Sequence, residues 1–157
     1  MVLWTKPRQE KAVARFLEAT EVEFYLPLVP RVSFIRRRKV VSEVPLFPGY
    51  VFAAGELEDG YAAISTKRVC QVLQVEDQRQ FVSEIDQIRH ALGAGGALDL
   101  YPFAVIGRRC RVTRGPFMGL EGTITDRLGP TRLVLQVGIL GQGAALEIDI
   151  DLLEPVT

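Results

Sequence analysis

Gly129, Pro130, Gly138, Gly141 and Gly143 interrupt the back of this chain too often for a helix to persist there. Each glycine costs a helix interior about 1 kcal/mol and proline about 3. From about Phe103 onward the pattern is short, alternating and β-branched. Strands are expected at Arg109–Thr113, Gly122–Asp126, Arg132–Val137, Ala145–Ile150 and Leu152–Val156, with Leu133/Leu135/Val137 and Leu146/Ile148/Ile150 each on one face. Five short strands so close together specify a small SH3-like β-barrel. Between the first two, Gly115-Pro116-Phe117-Met118-Gly119-Leu120-Glu121-Gly122 brackets an apolar tip with glycines. Two large side chains held on such a loop either dock on a partner or fold back over the barrel.

The front half has a different grammar. Val2–Thr5 reads as a strand, and Gln9–Ala19 as a helix with Val13, Phe16 and Leu17 on one face and Arg8, Lys11 and Arg15 opposite. Phe24–Pro30 is extended, because its prolines forbid helix. Val32–Val44 is a hairpin with Arg36, Arg37, Arg38 and Lys39 near its tip, and Leu46–Ala53 is a strand rich in aromatic and β-branched residues. A helical turn near Gly60–Ser65 and a strand at Val69–Val75 follow. Phe81, Ile85, Ile88 and Leu92 then mark a one-faced helix. The order β-α-β-β-α-β-α predicts an α/β sandwich, an antiparallel or mixed sheet with helices on one side. The whole chain is therefore α+β, with a first domain at 1–92, a short linker at 93–102 around Gly93-Ala94-Gly95-Gly96-Ala97, and the barrel at 103–157.

Composition narrows the chemistry. The single histidine, His90, and the two separated cysteines, Cys70 and Cys110, leave no metal site and no histidine-based triad, and no cofactor is implied. Both cysteines sit in apolar strand-like runs and read as buried reduced thiols, with one disulfide between them as the alternative. No phosphate loop or nucleophile–base pair is present, so the chain does not read as an enzyme. No apolar run approaches the roughly 18 residues that span a bilayer, and charges arrive at Lys6 and Arg8, which leaves no signal segment. A monomer in the cytoplasm is expected. Net charge is zero, yet Arg31–Ser42 holds five cations and no acid.

Two runs carry a family resemblance. Trp4-Thr5-Lys6-Pro7-Arg8-Gln9-Glu10-Lys11 and Leu46-Phe47-Pro48-Gly49-Tyr50-Val51-Phe52 resemble the N-terminal domain of the NusG family of transcription elongation factors. Gly107 through Arg111-Val112-Thr113-Arg114-Gly115-Pro116-Phe117-Met118-Gly119-Leu120-Glu121-Gly122 to Leu153-Glu154-Pro155 resembles a KOW domain. Val41-Ser42-Glu43-Val44-Pro45-Leu46-Phe47-Pro48, beside its basic hairpin, is more similar to the specialised RfaH-like paralogs than to housekeeping NusG.

The resemblance implies a transcription elongation and antitermination factor. Its N-terminal domain would bind the clamp helices of RNA polymerase through an apolar patch and suppress pausing or termination. Its KOW domain would recruit a partner. Patch positions are Trp4, Tyr50 and Phe52; the competing reading makes all three core. Lys6, Arg8, Lys11 and Arg15, with Lys67 and Arg68, match residues that face nucleic acid of the transcription bubble in the specialised paralogs. Arg36, Arg37, Arg38 and Lys39 would reach phosphates by a sequence-independent, salt-sensitive attraction. Phe117, Met118, Ile139 and Leu140 would meet the KOW partner, Rho or a small-subunit ribosomal protein. The chain departs from the family at Gly141-Gln142, where an arginine usually follows the glycine, and at Tyr61–Thr66, where some paralogs carry a histidine and threonines. A ribosome-associated or RNA-binding KOW protein is the alternative class; six cations against seven acids from Gly93 onward disfavour it.

Overall fold

A computed structural model describes residues 1–125 and 129–156. They form two compact units, Met1–Glu76 and Asp77–Thr157, in a mixed α+β fold.

The first unit runs β1 (Val2–Thr5), α1 (Glu10–Ala19), β2 (Glu23–Tyr25), β3 (Leu28–Ile35), β4 (Arg38–Pro45), β5 (Tyr50–Ala54), α2 (Leu57–Ser65) and β6 (Val69–Leu73). Four strands make an antiparallel sheet in the order β2-β5-β1-β6. One sheet face carries Leu3, Val51 and Ala53, which pack with Val13 and Leu17 of α1 and Ala63 of α2. The helices cover this face because Glu10, Val13, Ala14 and Leu17 recur at helical spacing and are buried, while Lys11 and Arg15 point to solvent. Each large side chain so buried contributes about 1.5–3 kcal/mol over leaving it in water. Strands β3 and β4 stand apart as a two-stranded ribbon, paired from Leu28↔Pro45 to Ile35↔Arg38.

Two expectations change here. The strand expected from Leu46 begins at Tyr50. Gly49 turns the chain at a φ of 90°, and Leu46 and Phe47 bury themselves ahead of it. Cys70 is exposed rather than buried, although both thiols are free. The β1–β6 register jumps from Trp4↔Gln71 to Thr5↔Val69, so Cys70 is the extra residue of a β-bulge and loses its place in the inward alternation.

The second unit begins with α3 (Gln78–Gly93), capped by the Asp77 carboxylate accepting from the Gln80 N–H at 3.0 Å. Then come β7 (Leu98–Tyr101), β8 (Arg109–Val112), β9 (Glu121–Thr125), β10 (Arg132–Val137), β11 (Gln142–Glu147) and β12 (Leu153–Pro155), in a sheet ordered β12-β8-β9-β10-β11-β7. Asp126, the expected end of the second barrel strand, lies outside the described residues. The stretch read as linker contains β7, which pairs Leu98↔Leu146 through Tyr101↔Gly143. This strand takes up the outer edge of β11. The described residues therefore form a six-stranded antiparallel sheet with no pairing of β7 to β12, where a closed five-stranded barrel was expected. Gly122, expected to open the second barrel strand, does lie in a strand. It lies inside β9, where a Cβ would collide with the Val134 carbonyl oxygen.

No helix among the described residues is long and apolar enough to cross a membrane.

Candidate functional site

Side chains alternate across a sheet, so Trp4 and Tyr50 lie on the face opposite Leu3 and Val51, away from α1 and α2. The register sets Trp4 directly across from Tyr50 on one side and Gln71 on the other. Trp4 is 46% exposed and Tyr50 half-buried. A half-exposed indole beside Tyr50 on a rigid strand presents the amphipathic ring surface that interfaces favour. Its position is fixed from beneath. A Cβ on Gly49 would lie 3.8 Å from the indole, the Thr5 N–H donates to the Gly49 carbonyl at 2.8 Å, and the Gly49 N–H donates to the buried Glu10 carboxylate at 3.0 Å. The start of α1 thereby holds the turn on which the ring rests.

Phe52 does not share this exposure. It sits on the same face two residues on, opposite Val2, but is only 3% exposed and meets Phe47 edge-on with centroids 6.0 Å apart. Reading Phe52 as a third surface ring is corrected. Buried Phe47 closes that end of the face, and the open part is Trp4, Tyr50 and Gln71. Tyr25, half-buried and opposite Phe52 on β2, joins the same face; alternation along β2 alone was too short to reveal it.

The cationic residues form two groups. Lys6, Arg8, Lys67 and Arg68 are all exposed and lie on two adjoining turns. The Lys6 N–H donates to the Arg68 carbonyl at 2.9 Å, and Arg68 Nε donates to the Gln9 side chain at 3.1 Å. Arg8 and Lys67 both take positive φ, 64° and 63°. Residues some sixty positions apart in the chain thus share one basic edge. Lys11 is already used, its Nζ donating to the Glu43 carbonyl at 2.5 Å and tying α1 to β4; Arg15 is exposed one turn on.

The second group is the ribbon tip. Arg36 and Arg37 are the two turn residues between β3 and β4, with φ of 52° and 65°, the geometry of a type I′ turn that Asn-Gly normally fills. Arg38 and Lys39 open β4. All four are exposed.

In the second unit the β8–β9 loop (residues 113–120) and the 3-10 turn Gly138–Leu140 lie at one end of the antiparallel sheet. Met118 is 60% exposed, and Ile139 is also exposed. Phe117 is half-buried, its ring 3.0 Å from where a Gly96 Cβ would stand. It folds back while Met118 projects. Leu140 is half-buried. One edge of α3 lines this end. The Gly138 N–H donates to Glu84 at 3.2 Å, Gln87 exchanges two hydrogen bonds with the Glu121 backbone at 2.7 and 2.9 Å, and His90 Nε2 lies 3.1 Å from the Pro116 carbonyl. These partners escaped the sequence reading because the polar side of an amphipathic helix looks solvated until a sheet end is placed beside it. A cleft of about 1110 Å³ runs along this edge, lined by residues that include Gln80, Glu84, Gln87, Arg109 and Gln136. Burial pushes the Glu84 carboxyl above its ordinary range. The hydrogen bond from Arg111 holds Glu121 below it, and Arg109 and Arg111 both pair with Glu121. Where an arginine was expected after Gly141, Gln142 leaves its side-chain oxygen buried without a partner among the described residues.

Among the described residues no group of acidic, cysteine or histidine side chains is placed to hold a metal ion. No curated protein matches the chain. The family model described as transcription termination factor nusG matches residues 1–90, and the one described as KOW motif matches residues 106–135. The first match alone spans more than half of the 157 residues, taking in Trp4, Tyr50 and most of α3, and the second takes in the loop carrying Phe117 and Met118. The chain belongs to the NusG family.

Proposed function

We propose that this protein is a transcription elongation and antitermination factor whose first unit binds the clamp helices of RNA polymerase through Trp4 and Tyr50. Phe52 packs beside them on the same face, buried against Phe47. The observation that carries this reading is the exposed Trp4 indole, opposite Tyr50 on the sheet face that α1 and α2 leave open. Aromatic side chains on a rigid strand are the usual anchors of protein interfaces, since they lose little entropy on docking. The edge carrying Lys6, Arg8, Lys67 and Arg68, with Arg15 on α1, faces nucleic acid of the transcription bubble, and the Arg36–Lys39 tip adds phosphate contacts.

In the second unit the exposed Met118 and Ile139, with Phe117 and Leu140 behind them, form the surface for a further partner, Rho or a small-subunit ribosomal protein. The cationic ribbon supports placing the chain with the specialised RfaH-like paralogs. The ribosome-associated alternative is disfavoured by the charge balance of the back half, six cations against seven acids from Gly93 onward.

In vitro transcription with purified polymerase, with and without Rho, tests the reading. Wild type is expected to shorten pauses or change read-through, and Trp4→Ala to lose the effect. Identical pause lifetimes with and without the wild-type protein would reject it.

A further inference from the structure

The β3–β4 ribbon has features that a merely cationic hairpin does not need. Phe34 is 72% exposed, and Val32 and Val41, directly opposite each other, are exposed on the same face. The register sets Phe34 across from Lys39, one step from the Arg36-Arg37 turn. No acid lies between Arg31 and Ser42. None of Arg36, Arg37, Arg38 and Lys39 has a side-chain hydrogen bond or ion pair among the described residues. The ribbon's base is anchored by the Lys11–Glu43 bond and by the Leu46 N–H donating to the Pro27 carbonyl at 2.9 Å. The tip is held out on a fixed stalk.

The two-residue hairpin turn requires positive φ at both positions, and a non-glycine residue there costs about 1–2 kcal/mol relative to right-handed backbone. Asn-Gly would close the same turn at lower cost, so two arginines in its place point to use of their side chains. Their charge selects a polyanion. The ring selects further, because phosphates give an apolar face nothing to bind and a duplex hides its base faces, whereas an unpaired base offers a π-surface.

We propose that this ribbon grips single-stranded nucleic acid, stacking an unpaired base on Phe34 while Lys39, Arg36 and Arg37 neutralise the adjoining phosphates. This rests on the nucleic-acid contact proposed for the basic tip and names its ligand as unpaired strand rather than duplex. Val32 and Val41 extend the apolar floor along which the neighbouring base lies.

Fluorescence anisotropy of the full chain with labelled oligo-dT, oligo-rU and a mixed-sequence duplex, each over a salt series, tests the proposal. Phe34→Leu keeps an apolar side chain and removes the ring. It is expected to weaken single-strand binding roughly tenfold, leaving the salt slope and duplex binding unchanged. The double variant Arg36→Gln/Arg37→Gln is expected to flatten the salt slope on every probe. The dT and rU arms assign the strand to DNA or RNA, and thermal melts verify that both variants are folded. If Phe34→Leu binds single strands like wild type while the arginine variant loses affinity, base stacking is overturned and the phosphate contact stands. If the wild type prefers duplex, the single-strand assignment is overturned. If no variant changes binding, both readings fall.

Discussion

Strands β3 and β5 are written in nearly the same alphabet, yet they end in opposite environments. In β5, Val51 packs under α1 and α2, and Phe52 is closed off by Phe47. In β3, Val32 and Phe34 alternate just as regularly and stand in water, since the ribbon forms its own two-stranded sheet. Alternation decides which side chains share a face. Whether a second layer covers that face depends on what the rest of the chain can bring there. Trp4 and Tyr50 lie between the two cases, on a supported sheet whose outer face is only partly closed.

The largest test of this contrast is stability. Phe52→Ala is expected to cost about 3–5 kcal/mol of folding free energy, as for a buried phenylalanine, while Phe34→Ala stays within about 0.5 kcal/mol. Urea unfolding of both variants decides it, and equal losses would break the comparison. Next in size, Trp4→Ala is expected to lose about 2 kcal/mol of polymerase affinity with an almost unchanged melting temperature. A titration and a melt on the same sample would separate a surface anchor from a core residue. Replacing the tip as Arg36→Asn/Arg37→Gly is expected to stabilise the protein by roughly 1 kcal/mol, because these residues suit a type I′ turn, while reducing the salt dependence of nucleic-acid binding. A destabilised variant would show that the arginines are structural.

The smallest effect extends the contrast to α3, whose edge does have a layer beside it. Burial raises the Glu84 carboxyl against the lowering influence of the Gly138 hydrogen bond, Gln80 and Arg109. A value raised in the folded state means this group's contribution is complete at acidic pH and fades as pH climbs through the window just above the ordinary carboxylate range. Glu84→Gln, which can still accept from Gly138, is expected to flatten the stability–pH curve in that window. An unchanged curve would place Glu84 in solvent.

Much of the secondary structure was legible. The period of Val13 and Leu17 located α1, the basic run sat at the tip of a real hairpin, and the back half proved to be strands. The remainder is hidden for identifiable reasons. Gly93–Ala97 reads as a break and Leu98–Tyr101 is too short to show a period, so β7 looks like linker. A bulge leaves no mark in composition, so nothing local exposes Cys70. The alternation of Phe52 with Tyr50 is equally true of an open face and of one that is half closed.

Local chemistry, then, was enough to settle the type of the longer periodic elements, the face that each unbulged strand presents, and the position of the basic tip, since backbone sterics and side-chain periodicity act over a few residues. Only the tertiary structure could place Lys6 beside Arg68, set the α3 edge along the β8–β9 and β10–β11 loops, close Phe52 and leave Trp4 open. Those outcomes depend on which distant segments meet, and that is decided by packing and hydrogen bonding across the whole unit.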